Sequence, residues 1–344
     1  MNRTAWRIAI LSAASALGGT YLFGGEWLRF FSFFGTWGTI GILLVSLAIS
    51  WITSTVLLLL NRALIHSHVQ LFALLFGEKA APTMSFLFAL CLLLQVGTAF
   101  NQQSLAITAS LGLPYAASIL LLAVATFLLV RLDGAPLLKN AGIALAAGAL
   151  ILIVLFFVQH HVPMPSLSYQ LGTSWLWHAM FFVCLHALFL MAVFLPDQQI
   201  QEGVMDRSSI LFGSIAGGFI FLVITLFGHF AILAHWHDAH SFDQPLYAIV
   251  KGLSPILIVP FLFASLLQAT FLCSVIVRSI GHPLIHTHDL RSVPVHLLFL
   301  LLAVLVAFGL LMLDRFSPIA ELPARLLGFA ILFRLIQRTV QKSP

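Results

Sequence analysis

Charged side chains are scarce in this sequence: Asp, Glu, Lys and Arg make up 8% of its 344 residues, against about a quarter in soluble folds. So few charges cannot cover a water-facing surface, which excludes a soluble protein. The 16 Lys and Arg residues are scattered in ones and twos, so they form no basic stripe for a nucleic acid. The three cysteines lie far apart inside apolar runs, without metal-ligand spacing, and we interpret them as packing residues.

Long apolar runs take up most of the chain. Hydrophobic residues make up 61% of it, 31 residues are Phe, and the mean hydropathy is +1.07. Because a helix needs roughly 20 apolar residues to cross the hydrocarbon of a bilayer, these runs predict an all-α membrane protein with about ten transmembrane helices. This length leaves no room for a separate soluble domain. The predicted spans are 6–33, 36–61, 82–107, 113–131, 136–159, 173–196, 208–234, 253–280, 293–313 and 320–339.

The positions of the basic residues predict how these spans are oriented. With a cytoplasmic N-terminus, Arg29, Lys251, Arg315 and Arg325 fall on the outer side, and the other twelve of the 16 Lys and Arg residues fall on the cytoplasmic side. Because cytoplasmic loops carry the excess of Lys and Arg, an even number of spans with both termini in the cytoplasm is favoured. We therefore predict a multi-pass protein in a lipid bilayer.

Two glycine pairs interrupt the first span. Gly18-Gly19 and Gly24-Gly25 place four glycines in the eight positions from 18 to 25, and each glycine costs about 1 kcal/mol in a helix relative to alanine. We therefore predict that the first helix breaks near Gly18-Gly19. Because free main-chain groups meet no water in lipid, an unwound segment has to line a cavity or a binding site. Gly18, Gly19 and Thr20 are thus predicted to bind a solute, and a close-packing face of small residues is the alternative.

Glu26 and Arg29 follow the glycines on one helical face, so we expect them to pair with each other near the outer end of the span. Charges inside a membrane are expensive and usually functional. This pair would act as an outer gate or hold the second half of the broken helix in place. An equally weighted alternative is that the two residues form a purely structural ion pair near the membrane interface.

Polar side chains inside the third and sixth spans are further candidates for substrate binding. His186 lies near the middle of the sixth span, close to Cys184, and histidine changes charge near neutral pH, which suits proton coupling. A hydrogen-bonded packing histidine is the alternative. The third span carries Gln95 and a polar cluster that includes Asn101 and Gln102. These polar faces either line a pathway or hold the bundle together without a ligand.

The eighth span offers oxygen atoms for a coupling ion. Thr270 and Ser274 lie four residues apart on one helical face. Their hydroxyl oxygens, together with main-chain oxygens freed from Leu17 onwards at the predicted break, form a suitable ligand set for sodium. The sequence is therefore compatible with either sodium or a proton carried by His186 as the coupling ion.

The start of the chain reads Leu17-Gly18-Gly19-Thr20-Tyr21-Leu22-Phe23-Gly24-Gly25-Glu26-Trp27-Leu28-Arg29-Phe30-Phe31, and then Phe34-Gly35-Thr36-Trp37-Gly38-Thr39-Ile40-Gly41-Ile42. This order of small residues, Phe, small residues, an acid, Leu and Phe-Phe, followed by Phe-Gly, Gly and Gly-Ile, resembles the YkvI-like family of bacterial membrane proteins. Gly112-Leu113-Pro114 and Asp243-Gln244-Pro245-Leu246 are similar to that family as well. The resemblance extends over most of the chain and is sharp in its first 45 residues.

The YkvI-like family is placed in the amino acid, polyamine and organocation transporter superfamily. The resemblance therefore implies a LeuT-type fold of two inverted five-helix repeats, about 6–159 and 173–339. It also implies that unwound parts of the first and sixth helices hold the substrate. A sodium ion, where one is used, would lie between the first and eighth helices.

The resulting hypothesis is a secondary active transporter in the bacterial inner membrane. It would carry a small polar solute, an amino acid or a related organic ion, by alternating access coupled to H⁺ or Na⁺. We predict no catalytic residues, no metal site and no cofactor besides the coupling ion, because no phosphate-binding loop, zinc-hydrolase helix or Ser/His/Asp pattern is present. The alternative is a transporter-like sensor subunit that binds a small ligand without net movement.

Overall fold

The computed structural model describes residues 2–65, 67–132, 135–158, 172–196, 205–288, 291–312 and 317–341. Regular secondary structure within these residues is entirely helical. Two short 3₁₀ turns, Tyr21–Phe23 and Ser32–Phe34, connect helices near the N-terminus. The helices are α1 (Arg3–Leu17), α2 (Gly25–Phe30), α3 (Thr36–Ala63), α4 (His68–Phe76), α5 (Ala81–Leu111), α6 (Tyr115–Val130), α7 (Ala135–Phe157), α8 (Ser174–Phe194), α9 (Arg207–Ala234), α10 (Trp236–Ala239), α11 (Pro245–Leu253), α12 (Pro255–His288), α13 (Ser292–Met312) and α14 (Ser317–Gln341).

Seven of the described helices are long and apolar enough to cross a membrane, namely α3, α5, α7, α8, α9, α12 and α13. The apolar helix α6 is shorter, with 16 residues. Large hydrophobic side chains point away from the bundle: Phe157, Ile256 and Met312 are 74%, 83% and 80% exposed. Such a surface is favourable against lipid and unfavourable against water. The protein is therefore a multi-pass membrane protein, as its composition predicts.

Local sequence signals determine where several helices begin and end. The Asn2 side chain accepts a hydrogen bond from Ala5 N at 2.9 Å and caps α1. Pro82 lies in the first turn of α5, where its missing N–H has no helical acceptor to lose. α5 ends at Leu111 and is followed by Gly112, whose φ of +68° suits glycine. The predicted third span, 82–107, accordingly falls inside α5.

The first span is broken where the glycine pairs predict it. α1 ends at Leu17, and Gly18, with φ +83°, donates its N–H to Ser15 O at 3.1 Å, so the helical pattern stops there. Gly24, with φ +77°, precedes α2. Both φ values lie in the left-handed region, which glycine adopts at little cost. The predicted break near Gly18-Gly19 is therefore confirmed.

The sixth span behaves differently from the first. α8 is a continuous helix from Ser174 to Phe194. The unwound sixth helix that the family resemblance implies is therefore not found in this range, and that expectation is corrected. The physical reason is local, because no Gly or Pro occurs between these two residues and so nothing there weakens the helix.

α9 packs along α1 through small residues. A Cβ on Gly213 would lie 2.7 Å from Ala5 O, and a Cβ on Gly217 would overlap Ser12 Oγ. Small residues let membrane helices approach each other closely and gain van der Waals contact. This packing holds α1 in place up to the break.

The broken segment lies inside the bundle. A Cβ on Gly18 would lie 3.1 Å from Cε1 of His186 in α8. A Cβ on Gly19 would lie 3.5 Å from a methyl group of Leu272 in α12 and 3.6 Å from Cβ of Ala99 in α5. The unwound main chain is thus surrounded by protein on several sides, which is the condition under which a membrane tolerates it.

Candidate functional site

A small cavity lies beside the break, between α2, α5, α8, α12 and α14. Its volume is about 20 Å³, enough for about one water molecule. A larger solute therefore fits only after the helices separate. The polar residues that line the cavity are Thr20, Glu26, Gln95, Thr98, Gln102 and Glu321, and the remaining ones are Gly19, Ala99, Phe189, Leu272, Cys273 and Ile276.

Glu26 of α2 and His186 of α8 form a hydrogen-bonded pair at the cavity. Glu26 Oε2 lies 3.2 Å from His186 Nε2, and His186 is fully buried. The imidazole stacks on Phe182 with ring centroids 3.9 Å apart, and its Nδ1 has no hydrogen-bond partner among the described residues. The pair therefore places a carboxylate and an imidazole side by side inside the bundle, next to the helix break.

Arg29 pairs with Glu321 of α14, so the predicted ion pair between Glu26 and Arg29 is wrong. Arg29 Nη2 lies 2.9 Å from Oε1 and 3.0 Å from Oε2 of Glu321. Arg325, one turn after Glu321, donates to Glu321 Oε2 as well. Glu26 and Arg29 belong to the same short helix but point to different neighbours: Glu26 meets the imidazole of His186 on α8, and Arg29 meets the carboxylate of Glu321 on α14.

The Arg29–Glu321–Arg325 cluster also contacts an aromatic ring. The Cζ atoms of Arg29 and Arg325 lie 5.0 Å and 5.1 Å from the ring centroid of Phe30. A guanidinium group at this distance from an aromatic ring is attracted by its electron density. The side chain of Arg29 is 36% exposed and that of Glu321 only 6%. The cluster therefore connects α2 to α14 at the margin of the cavity.

Gln268 connects α12 to the break. Its Nε2 donates to Ala14 O at 2.7 Å and to Gly18 O at 2.9 Å. The hydroxyl groups predicted as sodium ligands bond elsewhere: Thr270 Oγ1 donates to Leu266 O at 2.8 Å, and Ser274 Oγ donates to Phe271 O at 2.7 Å. These two acceptors belong to α12 itself. The contact between the eighth span and the break is therefore made by an amide and by the packing of nonpolar groups.

The structure brings several predicted substrate-binding residues together. Gly19, Thr20 and Gln102 line the cavity. Gly18 and His186 contact each other beside it, and His186 reaches the cavity through Glu26.

Other predicted residues lie away from the cavity walls. Asn101 Oδ1 accepts a hydrogen bond from the Tyr115 hydroxyl at 2.8 Å. Cys184 is fully buried, and its carbonyl oxygen lies where a Cβ on Gly328 of α14 would be. The fully buried Leu17 is the last residue of α1. Asn101 and Cys184 thus contribute to contacts between helices.

Our predictions from the sequence include neither the ion-pair role of Glu321 nor the position of Gln95 at the cavity wall. Glu321 and Arg325 are opposite charges four residues apart in a largely apolar segment, and that spacing was a usable signal. Gln95 is 8% exposed, and its Nε2 has no hydrogen-bond partner among the described residues. A buried donor without a partner at a cavity wall indicates a site for water or a ligand. No sequence signal distinguishes Phe189 from its hydrophobic neighbours.

No protein-family model and no curated protein sequence matches the chain. Its fold, however, matches solved structures of transporters. A Na⁺-coupled sialic acid symporter in a substrate-bound, outward-open state is 14% identical with a TM-score of 0.72, over 96% of this chain and 78% of the symporter. MhsT in complex with L-phenylalanine is 14% identical with a TM-score of 0.62, over 96% of this chain and 88% of MhsT.

A manganese transporter from Eremococcus coleocola, in complex with an aromatic bis-isothiourea compound, is 12% identical with a TM-score of 0.59. That match covers 96% of this chain and 76% of the manganese transporter. At such low identity these similarities show a shared fold, which is of the LeuT type. The resemblance to the YkvI-like family and its superfamily stays a prediction.

Proposed function

We propose that this protein is a secondary active transporter that carries a small polar solute, an amino acid or a related organic ion, by alternating access. The small polar cavity beside a broken helix is the observation that carries the proposal. The proposal includes ten spans in two inverted repeats, about 6–159 and 173–339, in a bacterial inner membrane with both termini in the cytoplasm. The transporters that share the fold support it.

The charges around the cavity favour a solute with a protonated amine. Glu321 is already in direct contact with two guanidinium groups, those of Arg29 and Arg325. Within the described part of the chain, the carboxylate of Glu26 hydrogen-bonds to the His186 ring alone, and that ring carries no charge unless it is protonated. The nearby C-terminal end of α1 adds partial negative charge. An incoming ammonium group would therefore be attracted to the region between Glu26 and the break.

The α5 side of the cavity favours a hydrogen-bond acceptor in the same solute. Gln95 Nε2 is buried without a partner in the described part of the chain, and Gln102 lines the same cavity. A carboxylate or carbonyl oxygen of the solute would satisfy the Gln95 donor. An ammonium group together with an oxygen acceptor is the chemistry of an amino acid.

The Arg29–Glu321 contact is the proposed outer gate. It joins α2 to α14 beside the cavity, and the predicted orientation places it on the outer side of the membrane. Separation of these helices would open the cavity outward and would break the ion pair. Arg29 keeps the gate role predicted from the sequence, with Glu321 as its partner in place of Glu26.

The Glu26–His186 pair is the proposed site of proton coupling. It lies between the break and α8, so a change in its charge acts directly on the solute site. The other charged groups that act on Glu26 are Arg29 and Arg325, and both of them also bind Glu321. Protonation of His186 would reduce the attraction of Glu26 for a cationic solute, which links the movement of protons to that of the solute.

A thermal-shift screen tests binding first. Amino acids, amines and nucleobases are added to purified protein, and a bound solute raises the Tm. We expect the response to an amino acid or amine to disappear in Gln95→Leu. We expect it to persist in Gln337→Leu, a matched change at a partly exposed glutamine that bonds only Arg334 among the described residues.

Uptake into proteoliposomes then separates the two hypotheses. Accumulation of the labelled solute against its gradient supports a transporter. Stabilisation by a ligand without uptake favours the sensor alternative. A protein that neither binds nor moves any of these solutes would contradict the proposal.

A further inference from the structure

Two main-chain carbonyl groups lose their helical partners at the break in the first span. In a continuous helix the Ala14 carbonyl would accept from the N–H of Gly18, but that N–H donates to Ser15 O at 3.1 Å. The Gly18 carbonyl lies beyond the last residue of α1, so the helix offers it no donor. Carbonyl groups buried in a membrane protein need another partner, because no bulk water reaches them.

The side chain of Gln268 on α12 satisfies both carbonyl groups. Its Nε2 lies 2.7 Å from Ala14 O and 2.9 Å from Gly18 O, and the residue is fully buried. A side-chain amide has two N–H donors, so each carbonyl receives one. The reversed amide would place Oε1 against two carbonyl oxygens and leave three acceptors without a donor. The amide nitrogen is therefore the group that faces the break.

A sodium ion at this break would need oxygen atoms that already have a donor. Sodium coupling is known for the sialic acid symporter that shares the fold, and a hard cation takes carbonyl and hydroxyl oxygens as ligands. The Ala14 and Gly18 carbonyls accept from Gln268. The amide N–H groups would also direct their positive ends at the ion. The residues at the break therefore do not fit sodium.

We propose that Gln268 takes the place of a cation at the break, so that the protein completes the two freed carbonyls with its own amide and binds no sodium there. The amide is neutral and cannot dissociate. The connection between α1 and α12 is therefore independent of the sodium concentration. This proposal goes beyond the transport hypothesis, since it concerns an ion and needs no solute for its test.

The experiment compares the Tm of the purified full chain in chloride salts of sodium, potassium and N-methyl-D-glucamine at equal ionic strength. We expect the native protein to have the same Tm in all three. Gln268→Glu keeps the size of the side chain but turns a carboxylate towards the two carbonyls, so an ion between these oxygens becomes favourable. We expect its Tm to be lowered in N-methyl-D-glucamine and to rise by about 5 °C with sodium roughly a hundredfold above its dissociation constant.

Gln103→Glu is the matched control. Gln103 is fully buried on α5 and donates to Ser265 Oγ of α12 at 2.9 Å, so it reaches the same helix without contacting the break. We expect this variant to lose stability equally in the three salts. An increase in its Tm that is specific to sodium would show that any buried Gln→Glu change creates a cation site, and the proposal would be overturned.

Two further results would overturn the proposal. The first is a saturable rise in the Tm of the native protein with sodium that potassium does not reproduce. The second concerns Gln268→Ser, which replaces Gln268→Glu if that variant does not fold. The shorter side chain removes the amide, leaves the Ala14 and Gly18 carbonyls without a donor and opens space beside them for a cation. Equal Tm values of the serine variant in all three salts would mean that the break offers no position for a cation.

Discussion

The imidazole of His186 lies directly against Gly18, with Cε1 3.1 Å from the position that a Cβ on Gly18 would occupy. The same ring reaches Glu26 with a distance of 3.2 Å between Nε2 and Oε2. The glycine that ends α1 thus also makes room for the ring that contacts Glu26. The helix break and the Glu26–His186 pair therefore form one structural unit, and a change at either should affect the other.

Gly18→Ala tests this coupling. With φ +83° and ψ 169°, Gly18 has a conformation that alanine adopts only at a cost of about 1–3 kcal/mol, and the new methyl group would also press on His186. We expect loss of ligand-induced stabilisation in a thermal-shift measurement, with membrane insertion intact. Gly77→Ala is the control, because Gly77 has φ +89° and ψ 158° but nothing within 4 Å of its added Cβ. Equal ligand responses in the two variants would contradict the coupling.

His186→Ala should flatten the pH dependence of ligand binding. A binding step linked to one proton changes affinity by up to about tenfold per pH unit, and this variant removes the imidazole proposed to carry that proton. Glu26→Gln should have the same effect, because the pair acts as a unit. Isothermal titration at several pH values measures it.

His229→Gln is the matched control for the pH experiment. His229 is fully buried, and its two ring nitrogens are bonded to Ser32 Oγ at 3.0 Å and Thr39 Oγ1 at 3.1 Å. We expect this variant to lose stability and to keep the native pH profile. An unchanged profile in His186→Ala would assign that residue to packing.

Glu321→Gln should loosen the proposed gate. Ion pairs with a partly exposed partner contribute little free energy, and the side chain of Arg29 is partly exposed. Loss of the Arg29–Glu321 pair should therefore shift the equilibrium between the closed and open forms by about 1 kcal/mol, or roughly fivefold. Cys273 lines the cavity, so its rate of reaction with a thiol reagent measures opening in a variant without the other two cysteines. We expect a roughly fivefold faster reaction, and slower reaction when solute is bound.

Arg334→Met provides the comparison for the gate variant. Arg334 is on the same helix and hydrogen-bonds to Gln337 in an exposed position. It should leave the reactivity of Cys273 unchanged. A gate role for Glu321 would be rejected if both variants changed the labelling rate equally or if neither did.

His68 of α4 should make stability depend on pH. Burial, with a smaller contribution from His282, lowers the pKa of His68 from 6.5 to about 4. The folded state therefore prefers the neutral ring, and the unfolded chain binds the proton first as the pH falls. The contribution of the neutral His68 ring to the free energy of unfolding is complete above about pH 6.5 and is lost towards about pH 4. By about pH 5 the free energy of unfolding has fallen by about 2 kcal/mol.

Thermal unfolding of His68→Gln measures this contribution. Its side chain stays neutral throughout, so we expect a smaller decrease in Tm between neutral and mildly acidic pH than in the native protein. His237→Gln, a change at an exposed histidine of α10, is the control. A native-like decrease in the Tm of His68→Gln would exclude His68 as the source.

Much of the fold was accessible from the sequence because the relevant signals are local. The scarcity of charge and the long apolar runs identify a membrane protein, and the density of glycine from Gly18 to Gly25 locates the break. The polar cluster that contains Gln102 is visible in the sequence as well. The sequence does not reveal which side chains these residues contact. The predicted pairing of Glu26 with Arg29 is wrong, although their spacing allowed it.

Composition and local spacing by themselves determined that this chain is embedded in lipid and where its first helix opens, since helix propensity and hydrophobicity act within a few residues. The tertiary structure alone decided the partners of the polar groups. Arg29 finds Glu321 across 292 positions, and Gly18 finds Gln268 across 250 positions. Such contacts depend on how each helix is rotated and packed against the others, and the rotation of a helix in the bundle follows from the fit of all its neighbours together.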